Sequence, residues 1–106
     1  MDGLPFSQAC ENNKQAILAC IQPLLQDRED VLEIGSGTGQ HAVYFAAAMP
    51  WLRWRPSELE AQLPVLLPRC NNYTGTNLAA PAALDVSARP WSMPVPEAMY
   101  TANTLH

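Results

Sequence analysis

The chain has 106 residues, 48% of them hydrophobic and 15% charged, with ten acids against six bases for a net charge of −4. That length suits one small domain near the lower limit for a self-sufficient core, and that hydrophobic share excludes a disordered or supercharged segment. The six bases, Lys14, Arg28, Arg53, Arg55, Arg69 and Arg89, are scattered along the chain, so no basic stripe marks a nucleic-acid partner.

Three cysteines, Cys10, Cys20 and Cys70, stand far apart without a CxxC pair. They read as ordinary thiols of a reducing compartment, not as a disulfide framework or a zinc site. The chain opens without a basic run leading into an apolar stretch, and nowhere are 18 apolar residues consecutive. The expectation is therefore a cytoplasmic protein with neither signal peptide nor membrane partner. Two histidines this distant in sequence suggest no metal site, and the sequon Asn72-Tyr73-Thr74 carries no meaning without secretion.

Residues 1–10 read as an irregular arm. A helix is expected from Glu11, because Ala16, Ile17, Cys20, Ile21 and Leu24 recur at three and four, and Pro23 should kink or end it. Asp27 to Asp30 is a charged turn, and Val31 to Ile34 a short buried strand. Gln40 to Met49 reads as a helix stopped by Pro50, and Trp51 to Arg55 as a second strand. A third helix, broken by Pro64 and Pro68, is expected from a capping box of Ser57 and Glu60. Ala83 to Val86 is a third strand, residues 87–97 a proline-stiffened loop around Trp91, and Met99 to Asn103 a fourth strand. Alternation of this kind predicts a mostly parallel sheet with helices on both faces, a three-layer α/β/α architecture of which residues 1–106 are expected to be the N-terminal part. A sheet that stops after its fourth strand leaves apolar surface for later elements, or for a second copy in an oligomer, to cover.

The strongest signal is Val31-Leu32-Glu33-Ile34-Gly35-Ser36-Gly37-Thr38-Gly39, a buried strand running into three alternate glycines ahead of a helix. Glycine permits positive φ and close approach of a ligand to the backbone, and the helix start offers unpaired N–H groups. Open sheets place ligands at this edge. A dinucleotide fingerprint would need glycine where Gln40 stands, and a P-loop would need a lysine that is absent. Glu58 follows the second strand, where an acid can accept from ribose hydroxyls; the plainer reading is a helix first-turn charge. Glu33 is a costly charge to bury unless satisfied; it could accept from the loop N–H groups or orient the amino group of a bound amino acid. Asp85 could reach an adenine amino group with Val86 against the ring, or cap the next turn.

Together these pieces look like a known pattern. Glu33-Ile34-Gly35-Ser36-Gly37-Thr38-Gly39 resembles motif I of class I S-adenosylmethionine-dependent methyltransferases. With Glu11-Asn12-Asn13-Lys14, Gln40-His41, Trp54-Arg55-Pro56-Ser57-Glu58, Leu84-Asp85-Val86, Trp91 and Ala102-Asn103-Thr104-Leu105-His106, the ordered set resembles the DUF938 family, the methyltransferase-like 26 group. Asn12 stands where members often carry arginine, and Glu58 where aspartate is common. The resemblance implies a Rossmann-like fold that continues into a longer sheet than this one. It implies S-adenosylmethionine as cofactor, held by Glu33, Gly35, Ser36, Gly37, Gly39, Glu58, Asp85 and Val86. The methyl acceptor, a small molecule or another species, is not implied. Asn103 at the end of the fourth strand and His106 beyond it are the candidates to hold or deprotonate that acceptor. His41 reads as a helix residue beside the cofactor loop, and Tyr44 and Phe45 as packing. A non-catalytic module binding the cofactor or its demethylated product is the alternative from another class, and a nicotinamide oxidoreductase the weaker one.

Overall fold

The computed structural model describes residue 4, residues 6–85 and residues 97–101. Helix α1 spans Gln8–Ile21, and it starts earlier than the apolar periodicity indicates because Ser7 caps it. The Ser7 side chain accepts from the Cys10 N–H at 3.3 Å, satisfying one of the orphan donors of the first turn. The helix ends before Pro23, which opens a 3₁₀ turn over Pro23–Leu25, where a missing N–H does no harm.

Strand β1 is Asp30–Ile34, α2 is Gln40–Ala48 and β2 is Arg53–Glu58. Strand β2 therefore runs three residues past the expected end, through Pro56. The reason lies in the ladder. The Trp54 N–H bonds the Asn77 carbonyl, so the amide position two residues on faces the same side. There the neighbouring chain pairs only at the Trp54–Leu78 bridge and again at Ser57–Ala82. A proline sits in the gap at no cost in ladder bonds.

Ser57 and Glu58 are consequently strand residues, and the capping box expected at Ser57 does not form. After a 3₁₀ turn at Glu60–Gln62, α3 covers Leu63–Asn71. Pro64 lies in its first turn, and Pro68 costs the bond to the Pro64 carbonyl without ending the helix. Strand β3 is only Ala82–Ala83, short of the expected Val86, and β4 is Ala98–Thr101.

The sheet order is β3-β2-β1-β4, and all three pairings are parallel. Val31 pairs with both Trp54 and Ala98, and Glu33 with both Pro56 and Tyr100, so these residues share one face. The core packs on that face: Val31 and Trp54 against Ala42, Phe45 and Ala46 of α2 and against Met49 just past its end, with Ile17, Leu18 and Ile21 of α1 closing over it. The rings of Phe45, Trp54 and Tyr100 meet pairwise with centroids 5.5 to 5.7 Å apart, a spacing suited to tilted and edge contacts. Helices α1 and α3 both contact α2, so the described helices form a single layer. The expected helical layer on the other face is not supplied by the described residues. There Leu32, flanked in register by Arg55 and Met99, is buried, and Arg55 grips Asp30 through two bonds of 2.8 and 2.6 Å. No described helix is long and apolar enough to cross a membrane.

This packing sets a stability expectation. Phe45 is fully buried at the centre of the cluster, whereas Leu24 is 71% exposed. Phe45→Ala should lower the unfolding free energy by about 3–5 kcal/mol, and Leu24→Ala by less than about 0.5 kcal/mol, measured by urea titration.

Candidate functional site

The glycine loop leaves β1 at the carboxyl edge of the sheet and enters α2. All three of its glycines have positive φ: 70° at Gly35, 58° at Gly37 and 83° at Gly39. Two different constraints operate. A Cβ on Gly39 would meet Leu66 Cδ1 at 3.1 Å, with Arg69 and Cys70 close behind, so this position seats α3 against the start of α2. A Cβ on Gly37 would meet nothing within 4 Å. Gly37 is open on the side where its Cβ would stand, as a backbone that receives a ligand must be.

Beneath the loop lies a buried polar cluster. Glu33, 3% exposed, accepts through Oε1 from the Ser36 hydroxyl at 2.9 Å and from Trp54 Nε1 at 3.0 Å. The Ser36 Oγ in turn accepts from the Ser57 N–H at 3.0 Å, the Ser36 N–H bonds the Ser57 carbonyl at 2.8 Å, and the Ser57 hydroxyl donates to the Glu33 carbonyl. Burial pushes the Glu33 carboxyl up to about 7; the bonds from Trp54 and Ser36 oppose that rise, and the Glu58 charge adds to it.

Glu58, the last residue of β2, bridges the edge. Its Oε2 accepts from the Gly37 N–H at 2.9 Å and its Oε1 from the Leu59 N–H at 2.9 Å. The structure thus places Glu33, Gly35, Ser36, Gly37, Gly39 and Glu58 together. Asp85 lies at the same edge, since the Leu84 N–H beside it bonds the Glu58 carbonyl at 2.9 Å. It is exposed and stands two residues beyond β3 instead of ending it. Val86, Asn103 and His106 lie outside the described residues.

Three side chains take parts that the sequence does not announce. Trp54 looked like a strand residue, yet its indole satisfies the buried acid. Ser57 looked like a cap, yet it stitches β2 to β1. Gln40, which opens α2 where a dinucleotide fingerprint would need glycine, is buried and joins three segments: its Oε1 accepts from Thr38 Oγ1 at 2.9 Å and from the Ser7 N–H, and its Nε2 donates to Glu11 at 2.8 Å. The one sequence signal for it is a polar side chain at the first position of a mostly apolar helix. His41, read as a helix residue beside the loop, is in α2 and 3.3 Å from the Tyr100 hydroxyl through Nδ1. Burial holds its pKa below the ordinary value, against the influence of the Cys10 backbone. Cys70 is buried, and its thiol is pushed up to about 11 by that burial and by Glu33, which suits packing and not nucleophilic attack.

The crystal structure of the S-adenosylmethionine-dependent methyltransferase SibL in its apo form matches with a TM-score of 0.77 at 22% sequence identity, covering 91% of this chain. The chain spans 27% of the length of that SibL chain. At this identity the likeness establishes the fold: a parallel sheet with flanking helices of the Rossmann-like methyltransferase type. The DUF938 family, described as a protein of unknown function, matches residues 4–106, the glycine loop and Glu58 included. The chain belongs to the DUF938 family.

Proposed function

We propose that this chain binds S-adenosylmethionine at the glycine loop and serves a methyltransferase. When bound, that cofactor supplies a methyl group on a sulfonium for transfer to a nucleophile. The observation that carries the reading is the Glu58 carboxylate bonded to the N–H of Gly37, a residue that is open where a side chain would stand. A carboxylate oxygen has more than one lone pair, so Glu58 can keep its loop bond and still accept from ribose hydroxyls. Gly35 and Gly37 offer backbone to the methionine moiety, with Glu33 and Ser36 supporting the loop from below. Asp85 and Val86 stand for the adenine end, and Asn103 and His106 for contact with the acceptor. The absent lysine and the Gln40 side chain speak against a nucleotide phosphate at the same loop. A methyl acceptor of unassigned class, a small molecule or another species, a cytoplasmic setting and self-association through the open sheet edge complete the proposal.

Calorimetric titration of the chain with S-adenosylmethionine, using NADH and ATP as controls, should give micromolar binding of the methyl donor alone. Glu58→Ala should weaken it by about tenfold or more, the cost of a charge-assisted bond. A folded chain that took NADH and ignored the methyl donor would refute this reading of the loop.

Glu33 generates a second expectation. Its folded pKa is raised from 4.5 to about 7, so the native state holds a proton that the unfolded chain releases. Stability from this group is therefore complete below pH 4.5 and is lost as pH rises toward 7, by roughly 3 kcal/mol. Glu33→Gln keeps an oxygen for Trp54 and Ser36 but cannot titrate. Denaturant unfolding at pH 5 and pH 8 should show the wild type losing stability relative to this variant; parallel changes in the two would contradict a buried, proton-holding Glu33.

A further inference from the structure

Helix α1 is fastened to the rest of the molecule in two different ways along its length. Its C-terminal half packs on the core through Ile17, Leu18 and Ile21, yet no residue of the helix is fully buried. Its N-terminal half meets α2 through polar groups. The Ser7 N–H and the Glu11 carboxylate both bond the Gln40 carboxamide. Lys14, paired with Glu11, lies 4.8 Å from the centroid of the Tyr44 ring, a cation–π distance. Contacts of this kind each contribute little net stability, so this half of the helix is the easier one to release.

The same carboxamide is bonded to the glycine loop. Thr38 Oγ1 donates to Gln40 Oε1 at 2.9 Å, the oxygen that also accepts from the Ser7 N–H. Gln40 is 4% exposed, so a partner lost there is not readily replaced by water. Thr38 stands between Gly37, whose N–H is held by Glu58, and Gly39, which seats α3. A group that fixes the backbone around Gly37 therefore fixes the Thr38 hydroxyl, and with it the carboxamide on which α1 rests.

We propose that Gln40 is a positioning residue that couples the glycine loop to α1: a ligand on the loop docks the N-terminal half of α1 through the Thr38 hydroxyl. This inference rests on the reading that the loop binds S-adenosylmethionine. Coupling between two sites is reciprocal, so a docked α1 in turn holds the ligand more tightly.

The test is amide exchange followed by NMR on the whole chain, with and without saturating S-adenosylmethionine, beside calorimetric affinities. In the wild type the methyl donor should slow exchange of the Glu11 to Lys14 amides by at least about fivefold, the worth of one net hydrogen bond. Thr38→Val removes the hydroxyl at a half-buried position and keeps the shape of the side chain. The slowing should then fall below about twofold, and the affinity should drop by about the factor that the helix loses. Thr38→Ser restores the hydroxyl and should restore both quantities. Gln40→Leu should uncouple the helix as Thr38→Val does. Slowing confined to residues 35–39, or slowing of α1 that persists in Thr38→Val and Gln40→Leu, would overturn the coupling and leave the cofactor reading intact. A chain that bound no S-adenosylmethionine would instead fail that reading, and this inference with it.

Discussion

The buried Glu33 carboxyl, with the Trp54 indole and the Ser36 hydroxyl donating to it, is the constraint on which the ligand edge of this molecule depends. An acid at that depth costs several kcal/mol if left unsatisfied, so every element that reaches it is held in register. Trp54 brings β2. Ser36 brings the first turn of the glycine loop and, through the same hydroxyl, the Ser57 amide. The loop is thereby anchored from below by side chains while Gly37 stays open where a Cβ would stand. Glycines alone would leave such a loop free to wander, because they lose more conformational freedom on folding than any other residue. The buried cluster offsets that loss.

Gln40 extends the same logic to the helical layer. Its carboxamide accepts from the loop at Thr38 and from the chain just ahead of α1 at Ser7, and it donates to Glu11 one turn into that helix. A side chain with both a donor and an acceptor end can join groups of opposite polarity, which a charged residue at this position could not. The start of α1 and the start of α2 are therefore fastened at the same end of the molecule as the sheet edge. Asn77 performs the matching task at the far end, donating to the Ala46 and Leu52 carbonyls where α2 runs out.

What the sequence discloses about this fold divides along physical lines. The glycine loop, β1, α2 and the position of Glu58 are legible because their signals are local: alternate glycines, a short β-branched run, an alanine-rich helix stopped by proline. The start of α1 is misread because a single serine cap outweighs the apolar periodicity that begins later. Ser57 is misread because its spacing from Glu60 imitates a cap, and only the parallel ladder reveals that Pro56 can sit inside a strand. The Trp54–Glu33 bond spans 21 positions and the Gln40–Glu11 bond 29; no local pattern announces either. Trp54 follows the alternation of its own strand, which says that it is inward but not what it meets.

The parallel topology has a further consequence, for the order in which the chain folds. Val31 pairs with Trp54, 23 positions on, and with Ala98, 67 positions on. Loop closure grows only logarithmically, so the second pairing costs about 1 kcal/mol more in chain entropy than the first. Strands β1 and β2, with α2 between them, form the shorter-range unit and hold the glycine loop entire. Strand β4 joins by a longer search, which places the ligand edge in the early-forming part of the sheet and leaves the connection before β4 free to change length at little thermodynamic cost.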